Sequence, residues 1–354
     1  MIREGARGSD ANLIASTYVE PGITRSWQRC MERGQLPEQA VQFEAVTAPM
    51  QRRFSEHNRQ LRDAGRSVID AMQHTLARTG YFALLTNAQG MVVDTGGPID
   101  MRDPRASVIA RVGVDLSEKA VGTTAIGAAL AELKPVWLHR GEHFFAGTAV
   151  YSCAGAPIFG SDGACMGMLD LTGIEAPERR ELQHLVAQAA TQIENRLALA
   201  IPHAASVQLY WPGLAAQQDT GWLGLDADGR ICGANRSARS MLGMSTEGLA
   251  GALPHCLEVF ATDYAHLIDA LRSAKPVELP LWSGLTVIAQ GLSKDQCFDP
   301  HKVQANAPLR TLTCDFIRQT VTQTRGNVSI AAQTLGISRS TVYRKLSSNR
   351  LKKS

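Results

Sequence analysis

Arg339, Arg344 and Lys345, near the end of the 354-residue chain, have the types and spacing to bind DNA. An arginine can make a bidentate contact with guanine, and we expect this of Arg339. Arg344 and Lys345 are expected to contact phosphates, which fixes position without reading sequence. The full set predicted to bind DNA is Asn327, Ser338, Arg339, Ser340, Thr341, Tyr343, Arg344 and Lys345.

A second group of residues, in the middle of the chain, could bind a small molecule. An apolar wall with a few polar groups is typical of such pockets, although the aromatic members could equally be ordinary core. His143 and Cys153 could also bind a metal ion or haem, with Glu142 and Asp170 adding carboxylates. A hydrogen-bonded histidine beside a buried free thiol is the favoured interpretation, so no cofactor is predicted. The candidate pocket residues are Thr123, Thr124, Trp137, His143, Phe144, Tyr151 and Cys153.

The charge of the chain is unevenly distributed. Residues 309–354 contain nine Lys or Arg and one acid, Asp315, which gives +8; since the whole chain carries +3, the remainder sums to −5. A compact basic segment on a mildly acidic body is the electrostatic footprint of nucleic-acid binding. A solvated basic terminus would have the same charge, so the pattern of residues must distinguish the two.

Apolar residues in this basic segment recur at helical spacing in three runs. The first predicted helix ends before Gly326, and Asn327 can cap a second helix that ends at Gly336. In the third, Val342 and Leu346 face inward and leave the basic residues outside. Two helices joined by a glycine turn, the second with a basic outer face, form the helix-turn-helix arrangement.

The stretch RGNVSIAAQTLGISRSTVYRKL resembles the C-terminal helix-turn-helix of the Fis family. The shared features are a Gly-Asn opening, an Ala-Ala helix, a Leu-Gly-Ile turn and a Thr-x-x-x-Lys-Leu close. The resemblance implies an all-α domain over residues 309–354 that forms a homodimer. Two recognition helices about 34 Å apart would then read a partly palindromic site in double-stranded DNA.

The candidate pocket residues lie in a predicted mixed α/β domain over residues 66–200. Residues 81–94 read as two strands joined by an Asn-Ala-Gln-Gly turn. Residues 154–159 and 165–171 read as neighbouring strands around a Ser-Asp-Gly turn. The helix after Pro177 has one apolar face, which would cover the sheet.

Several blocks in this region resemble the GAF sensor domain of acetoin-type (AcoR-like) transcriptional regulators. They are GTTAIGAALAE, EHFF and APIFGSDGACMGMLDLTG, and the earlier SWQRCMERG resembles the helical lead-in of the same group. The resemblance covers about residues 20–200. It implies a helical N-terminal segment over residues 1–65, followed by a domain that senses a small-molecule effector of unknown identity.

Residues 205–292 contain a stretch, GWLGLDADGRICGANRSARSMLGMSTEGLAG, that resembles the start of a PAS domain. Residues 222–225 and 230–234 read as strands around a turn, Asn235 opens a short helix, and residues 284–289 read as a closing strand. The cysteine motif of flavin photoreceptors is absent. The predicted fold is therefore an α+β multidomain chain: helical segment, GAF, PAS-like α/β sensor, and helix-turn-helix.

Regulators of this type commonly carry an ATPase module that remodels sigma-54 RNA polymerase between the sensor and the helix-turn-helix. Here only a polar linker, residues 293–308, separates these parts, and no G-x-x-x-x-G-K-[ST] loop occurs in the chain. We therefore expect a regulator that is not itself an ATPase. It would repress, activate ordinary promoters by contact, or modulate a full-length relative.

Other features bound the class of protein. The seven cysteines are scattered and form no CxxC pair, which suits reduced thiols in the cytoplasm. No apolar run is long enough to span a bilayer, and no catalytic motif such as G-x-S-x-G is present, so neither a membrane protein nor an enzyme is predicted. We expect a cytoplasmic protein that joins the nucleoid when it binds DNA.

The favoured hypothesis is a ligand-responsive bacterial transcriptional regulator, a homodimer that binds DNA in a sequence-specific way. RNA polymerase and a full-length activator are further candidate partners. Two alternatives stay open: an interaction protein that heterodimerises with a full-length sigma-54-dependent activator, and a haem or metal redox sensor.

Overall fold

The computed structural model describes residues 20–43, 46–213, 220–244, 253–272 and 275–292. The chain divides into two compact units, 1–297 and 298–354, and every described residue belongs to the first unit. The predicted DNA-binding residues lie in the second unit. These residues and the whole predicted linker, residues 293–308, lie outside the described residues.

The first part of the described chain contains seven helices and five strands, which build one sheet and its two covering layers. In chain order they are α1 (Pro21–Glu32), α2 (Ala48–His57), α3 (Arg59–Leu76), β1 (Tyr81–Asn87), β2 (Val92–Gly96), α4 (Pro104–Ile109), α5 (Glu118–Val121), α6 (Ala125–Glu132), β3 (Val136–His139), β4 (Tyr151–Phe159), β5 (Cys165–Ile174) and α7 (Glu181–Leu199). The predicted strand pairs and the helix after Pro177 are confirmed.

The five strands form an antiparallel sheet in the order β2-β1-β5-β4-β3, which we call the first sheet. Both faces are covered, because successive side chains of a strand point to opposite faces and nearly every position in β1 and β4 is apolar. Helices α1, α4, α5 and α6 share one hydrophobic core with one face. Helices α3 and α7 share a second core with the other face.

The N-terminal helices are part of this layered structure. Ile23, Trp27 and Cys30 of α1 are buried in the same core as α6 and β4. Helix α3 runs without a break from Arg59 to Leu76, so the predicted boundary between residues 65 and 66 lies inside a helix. On its outer face Arg59 pairs with Asp63, as expected for a solvated helical surface.

A second antiparallel sheet follows, in the order β8-β7-β6-β10-β9. Its strands are β6 (Ala205–Tyr210), β7 (Gly221–Leu225), β8 (Ile231–Ala234), β9 (Val277–Pro280) and β10 (Thr286–Leu292), and its helices are α8 (Arg236–Met241), α9 (Cys256–Val259) and α10 (Tyr264–Arg272). The predicted strand-turn-strand-helix run is confirmed, and Asn235 caps α8 by accepting a hydrogen bond from the Ala238 amide. The closing strand lies slightly later than expected, and its neighbour β6 was not predicted.

The described cysteines are free thiols: Cys30, Cys153, Cys165, Cys232 and Cys256. Within the described ranges, we found no helix with the length and apolar character needed to cross a membrane.

Candidate effector cavity

An apolar cavity of about 30 Å³ lies between the first sheet and the helices on one of its faces. By the same measure a single water molecule needs about 10–15 Å³, so the cavity has room for a small ligand group or two waters. Strands β1, β4 and β5 form its floor, and α4, α5 and α6 contribute to its cover. The residues that line it are Phe43, Leu84, Ile109, Leu116, Val121, Thr124, Ile126, His143, Thr148, Tyr151, Cys153, Asp170 and Thr172.

Strand register places the polar lining residues together. Cys153 of β4 pairs with Thr172 of β5, and Asp170 is two residues before Thr172 on the same face. Gly155, the partner of Asp170, lets α6 approach the sheet: a Cβ atom there would lie 3.1 Å from the Ala125 carbonyl oxygen. The small residue therefore sets the height of the cavity cover above the polar floor.

Asp170 is the most unusual member of this group. Its side chain is fully buried, and its Oδ2 atom accepts a hydrogen bond from the Thr172 hydroxyl. Among the described residues its Oδ1 atom has no hydrogen-bond partner. Burial raises the pKa of Asp170 to about 7, partly opposed by the Thr172 hydrogen bond. A carboxyl group with one free oxygen is thus held inside a largely apolar space.

His143 is also fully buried, and burial lowers its pKa to about 4. Its Nδ1 atom lies 2.9 Å from the Arg140 carbonyl oxygen. Because a carbonyl can only accept, Nδ1 carries the proton and Nε2 is left as an acceptor. Nε2 lies 3.7 Å from the Sγ atom of Cys153, whose pKa is raised by burial. The pair is a neutral imidazole beside a protonated thiol.

The structure brings four of the seven predicted pocket residues together: Thr124, His143, Tyr151 and Cys153 line the cavity. Thr123 is buried beside it, with its hydroxyl 2.8 Å from that of Ser26. Phe144 packs edge-on against Trp27 of α1, with ring centroids 5.0 Å apart. These two residues join the cavity wall to α1 and do not line the space itself.

Trp137 lies on the opposite face of the first sheet. It pairs with Ala154, and both side chains belong to the core beneath α3 and α7. The neighbouring pair, Leu138 and Cys153, faces the cavity side. The difference from the prediction has a simple cause, since Trp137 is one residue out of phase with the lining positions.

The carboxylates considered for a metal site separate in the structure. Asp170 lines the cavity, whereas the Glu142 carboxylate accepts a hydrogen bond from the His139 amide at 2.6 Å. Across the described parts of the chain, no three His, Cys, Asp or Glu residues are grouped so that they could hold a metal ion. His143 Nε2 and Cys153 Sγ lie within hydrogen-bonding distance of each other.

A charged cluster fixes α1 to the helix that supplies part of the cavity cover. Glu118 at the start of α5 accepts hydrogen bonds from Ser26 at 2.6 Å, Arg29 at 2.9 Å and Arg33 at 2.8 Å. Burial raises the pKa of Glu118, but these hydrogen bonds outweigh it and hold the pKa below its usual value. The wall that contains Val121 and Thr124 is thereby tied to α1.

Asp170 was predicted only as a possible metal ligand, and Thr148 and Thr172 were not among the predicted pocket residues. The signal for Asp170 was present, because it is the only acidic residue in the apolar stretch CMGMLDLTG. An acidic residue inside a fully buried strand indicates a ligand, a partner or a perturbed pKa.

Comparison with known proteins gives two family matches. The family described as "MimR, N-terminal domain" matches residues 6–195, which is more than half of the chain. The family described as "Bacterial regulatory protein, Fis family" matches residues 309–347, the segment in which the helix-turn-helix was predicted.

Several proteins are similar over longer regions. The acetoin catabolism regulatory protein of Cupriavidus necator is 32% identical over 260 residues, 67% of this chain and 38% of that protein. The propane 2-monooxygenase operon transcriptional activator MimR of Mycolicibacterium smegmatis is 26% identical over 210 residues, 56% of this chain and 35% of that protein. The chain thus spans about two fifths of the length of these curated relatives.

Among solved structures, the E. coli DhaR(N)–DhaL complex contains a similar chain, with a TM-score of 0.47 and 16% identity over 77% of this chain and 99% of that one. The resemblance to acetoin-type regulators is confirmed by the curated relatives. On the family match over residues 6–195, the chain belongs to the MimR N-terminal-domain family of transcriptional regulators, and it carries a Fis-family segment at residues 309–347.

Proposed function

We propose that the chain is a ligand-responsive, homodimeric transcriptional regulator that binds DNA through residues 309–354 and is not itself an ATPase. In this proposal the first sheet and its covering helices α1 to α7 form a GAF-type sensor, so the predicted helical lead-in is part of the sensor domain. The second sheet forms a PAS-like domain over residues 205–292, and residues 293–308 link it to the DNA-binding domain. The protein acts in the cytoplasm.

The cavity and its buried carboxyl group support the proposal that the protein senses a small molecule. Asp170 is a fully buried carboxyl group, and one of its oxygens has no hydrogen-bond partner among the described residues, which calls for an explanation. Such a group is destabilising unless something pairs with it. A small effector that enters the cavity supplies that partner, which gives the folded protein a reason to bind it.

Binding of the effector must also change the affinity of the protein for DNA. An effector shifts an equilibrium between two arrangements of the DNA-binding domains only by the difference in its affinity for them. The cavity cover is tied to α1, and α7 touches β7 and β8 of the second sheet as well as the first sheet. Movement of the cover on binding can reach the rest of the chain through α1, and movement of the floor strand β4 can reach the second sheet through α7.

The DNA-binding part is tested with the full chain and genomic fragments, starting with the DNA beside its own gene. We expect tight binding to one fragment with a footprint of paired half-sites. Arg339→Ala should weaken specific binding by about 1–3 kcal/mol and relax base preference at one position of each half-site. Arg180→Ala, which removes an exposed arginine paired with Glu178, is the control and should bind as the unaltered chain does.

Equal binding of operator and competitor DNA by both the unaltered chain and Arg339→Ala would contradict sequence-specific recognition. Weak binding to every fragment, together with co-purification of a full-length activator, would instead favour the interaction-protein alternative.

A further inference from the structure

Most hydrogen-bonding groups of the cavity can only accept from a ligand. Four of its lining groups direct their hydrogens away from the open space. Tyr151 donates to the Arg105 carbonyl at 3.1 Å, and Thr148 donates to the Phe145 carbonyl at 2.9 Å. Thr172 donates to Asp170, and His143 donates through Nδ1 to the Arg140 carbonyl. These four groups can therefore only accept a hydrogen bond from a ligand. Thr124 differs, because its Oγ1 atom accepts from the Gly127 amide at 3.2 Å and its hydroxyl can still donate.

Two acceptors stand out at the polar end. Asp170 Oδ1 has no partner among the described residues, and His143 Nε2 has only the weak Cys153 thiol donor at 3.7 Å. Both atoms belong to fully buried side chains. A buried acceptor without a partner destabilises the protein, so a ligand that donates a hydrogen bond gains affinity here and one that only accepts does not.

The charge of the wall gives the second constraint. The lining residues include no lysine or arginine, and burial keeps His143 neutral. The only ionisable group that adds charge is an acid, Asp170. A carboxylate ligand would therefore be buried beside another carboxyl group with no cation to compensate it, which strongly disfavours binding.

We propose that this cavity binds a small ligand through a hydrogen-bond donor, either a hydroxyl or an ammonium group, which Asp170 Oδ1 accepts, and that it binds acceptor-only and anionic ligands less tightly. The ligand's apolar part contacts residues such as Leu84, Val121 and Ile126, which form the rest of the wall. This inference rests on the proposed function only in taking the cavity as the effector site.

The test compares four probes of three heavy atoms each, the size that a cavity of about 30 Å³ can hold, on the full chain by ligand-observed NMR and calorimetry: ethanol, ethylamine, acetonitrile and formate. At about pH 8.5 the Asp170 carboxyl is ionised, since its pKa is about 7. We expect the alcohol or the amine to bind at least roughly tenfold more tightly than the nitrile and formate. Preference for the alcohol over the amine, or the reverse, identifies which donor the site takes.

Asp170→Asn reverses the hydrogen-bonding direction at one atom. With its oxygen held by Thr172, the amide directs an N–H group into the cavity, so the ratio of alcohol to nitrile affinity should fall by about tenfold. Asp94→Asn is the matched control, because Asp94 is a buried carboxylate of the same sheet that pairs with Arg66 and does not line the cavity. It should keep the ranking of the unaltered chain.

The inference is overturned if the nitrile or formate binds as well as the donors do, or if none of the four probes binds the unaltered chain. The ranking in the unaltered chain decides the matter even if Asp170→Asn does not fold. These outcomes are separate from the proposed function, because sequence-specific DNA binding by the same preparation is measured without any probe.

Discussion

Asp170 and His143 face the same cavity, and burial affects their protonation in opposite senses. Burial raises the pKa of Asp170 from 3.8 to about 7, so the folded state binds more protons than the unfolded state between these values. Its contribution to the free energy of unfolding is greatest at low pH and declines as the pH rises through this window. Burial lowers the pKa of His143 from 6.5 to about 4, so its contribution declines as the pH falls through that range. The two trends cancel between about pH 4 and 6.5.

Asp170→Asn should expose the trend of His143 alone. We expect the free energy of unfolding of this variant, relative to the unaltered chain, to rise by up to ~4 kcal/mol between pH 4 and 7, because the buried acid no longer has to ionise. Urea denaturation across this range measures the difference. His143→Gln should show the opposite slope, and parallel pH profiles for all three proteins would contradict the assignment of both groups.

The cavity residues could be predicted only in part from the sequence. Residue type and proximity in the chain were enough to select Thr124, His143, Tyr151 and Cys153. They could not place Trp137, because the face of a residue in a strand depends on its phase relative to the core. They also could not identify Asp170 as a free acceptor, since this depends on which neighbouring groups are already hydrogen-bonded.

At the scale of elements, α7 serves both sheets. Leu182, Val186 and Ile193 pack on the first sheet, and Glu194 near its C-terminal end is 1% exposed. The Glu194 carboxylate accepts a hydrogen bond from the Phe159 amide of β4 at 3.1 Å and pairs with Arg236 of α8. Burial raises the pKa of Glu194, and the Arg236 guanidinium opposes this rise. The negative charge of Glu194 therefore depends on Arg236.

Glu194→Gln keeps the size of the side chain and removes this charge. We expect a loss of about 1–3 kcal/mol in the free energy of unfolding, and separate melting of the two sheets in calorimetry, because Arg236 loses its partner at the contact between them. Glu178→Gln is the control, since Glu178 pairs with Arg180 at the surface and should change stability by less than about 1 kcal/mol. A single unchanged transition in Glu194→Gln would show that the pair does not couple the sheets.

Elements with strong local patterns were predictable, and the arrangement of the second sheet was not. The hairpin of β7 and β8 has two short buried runs around an Asp-Gly turn, and its bounds were predicted almost to the residue. β6 is a run of only six residues, with Val207 and Leu209 buried. Its central place comes from pairing with β10, far along the chain, as well as with the next strand, β7, and no local pattern specifies the pairing with β10.

For the whole molecule, the uneven charge predicts how steeply DNA affinity falls with salt concentration. The effect of one substitution on that slope depends on how many chains bind the DNA. Residues 309–354 carry +8 in a chain of +3, so the attraction to phosphates is concentrated in one segment. Each neutralised phosphate contributes about 0.9 to the slope of log affinity against log salt concentration. A substitution that removes one phosphate contact is present once in a monomer and twice in a homodimer.

Lys345→Ala should therefore weaken binding to every DNA fragment alike and reduce the salt slope by about 1.8 in a homodimer, against about 0.9 in a monomer. The measurement is a fluorescence-anisotropy titration at several salt concentrations, with operator and unrelated DNA. Lys134→Ala, which removes an exposed lysine beside α6 of the first sheet, is the control and should leave the slope unchanged. A slope that stays the same in Lys345→Ala would remove Lys345 from the phosphate contacts. A reduction near 0.9 would leave the chain binding DNA as a single copy, and the paired half-sites expected of a dimer would then be absent from its footprint.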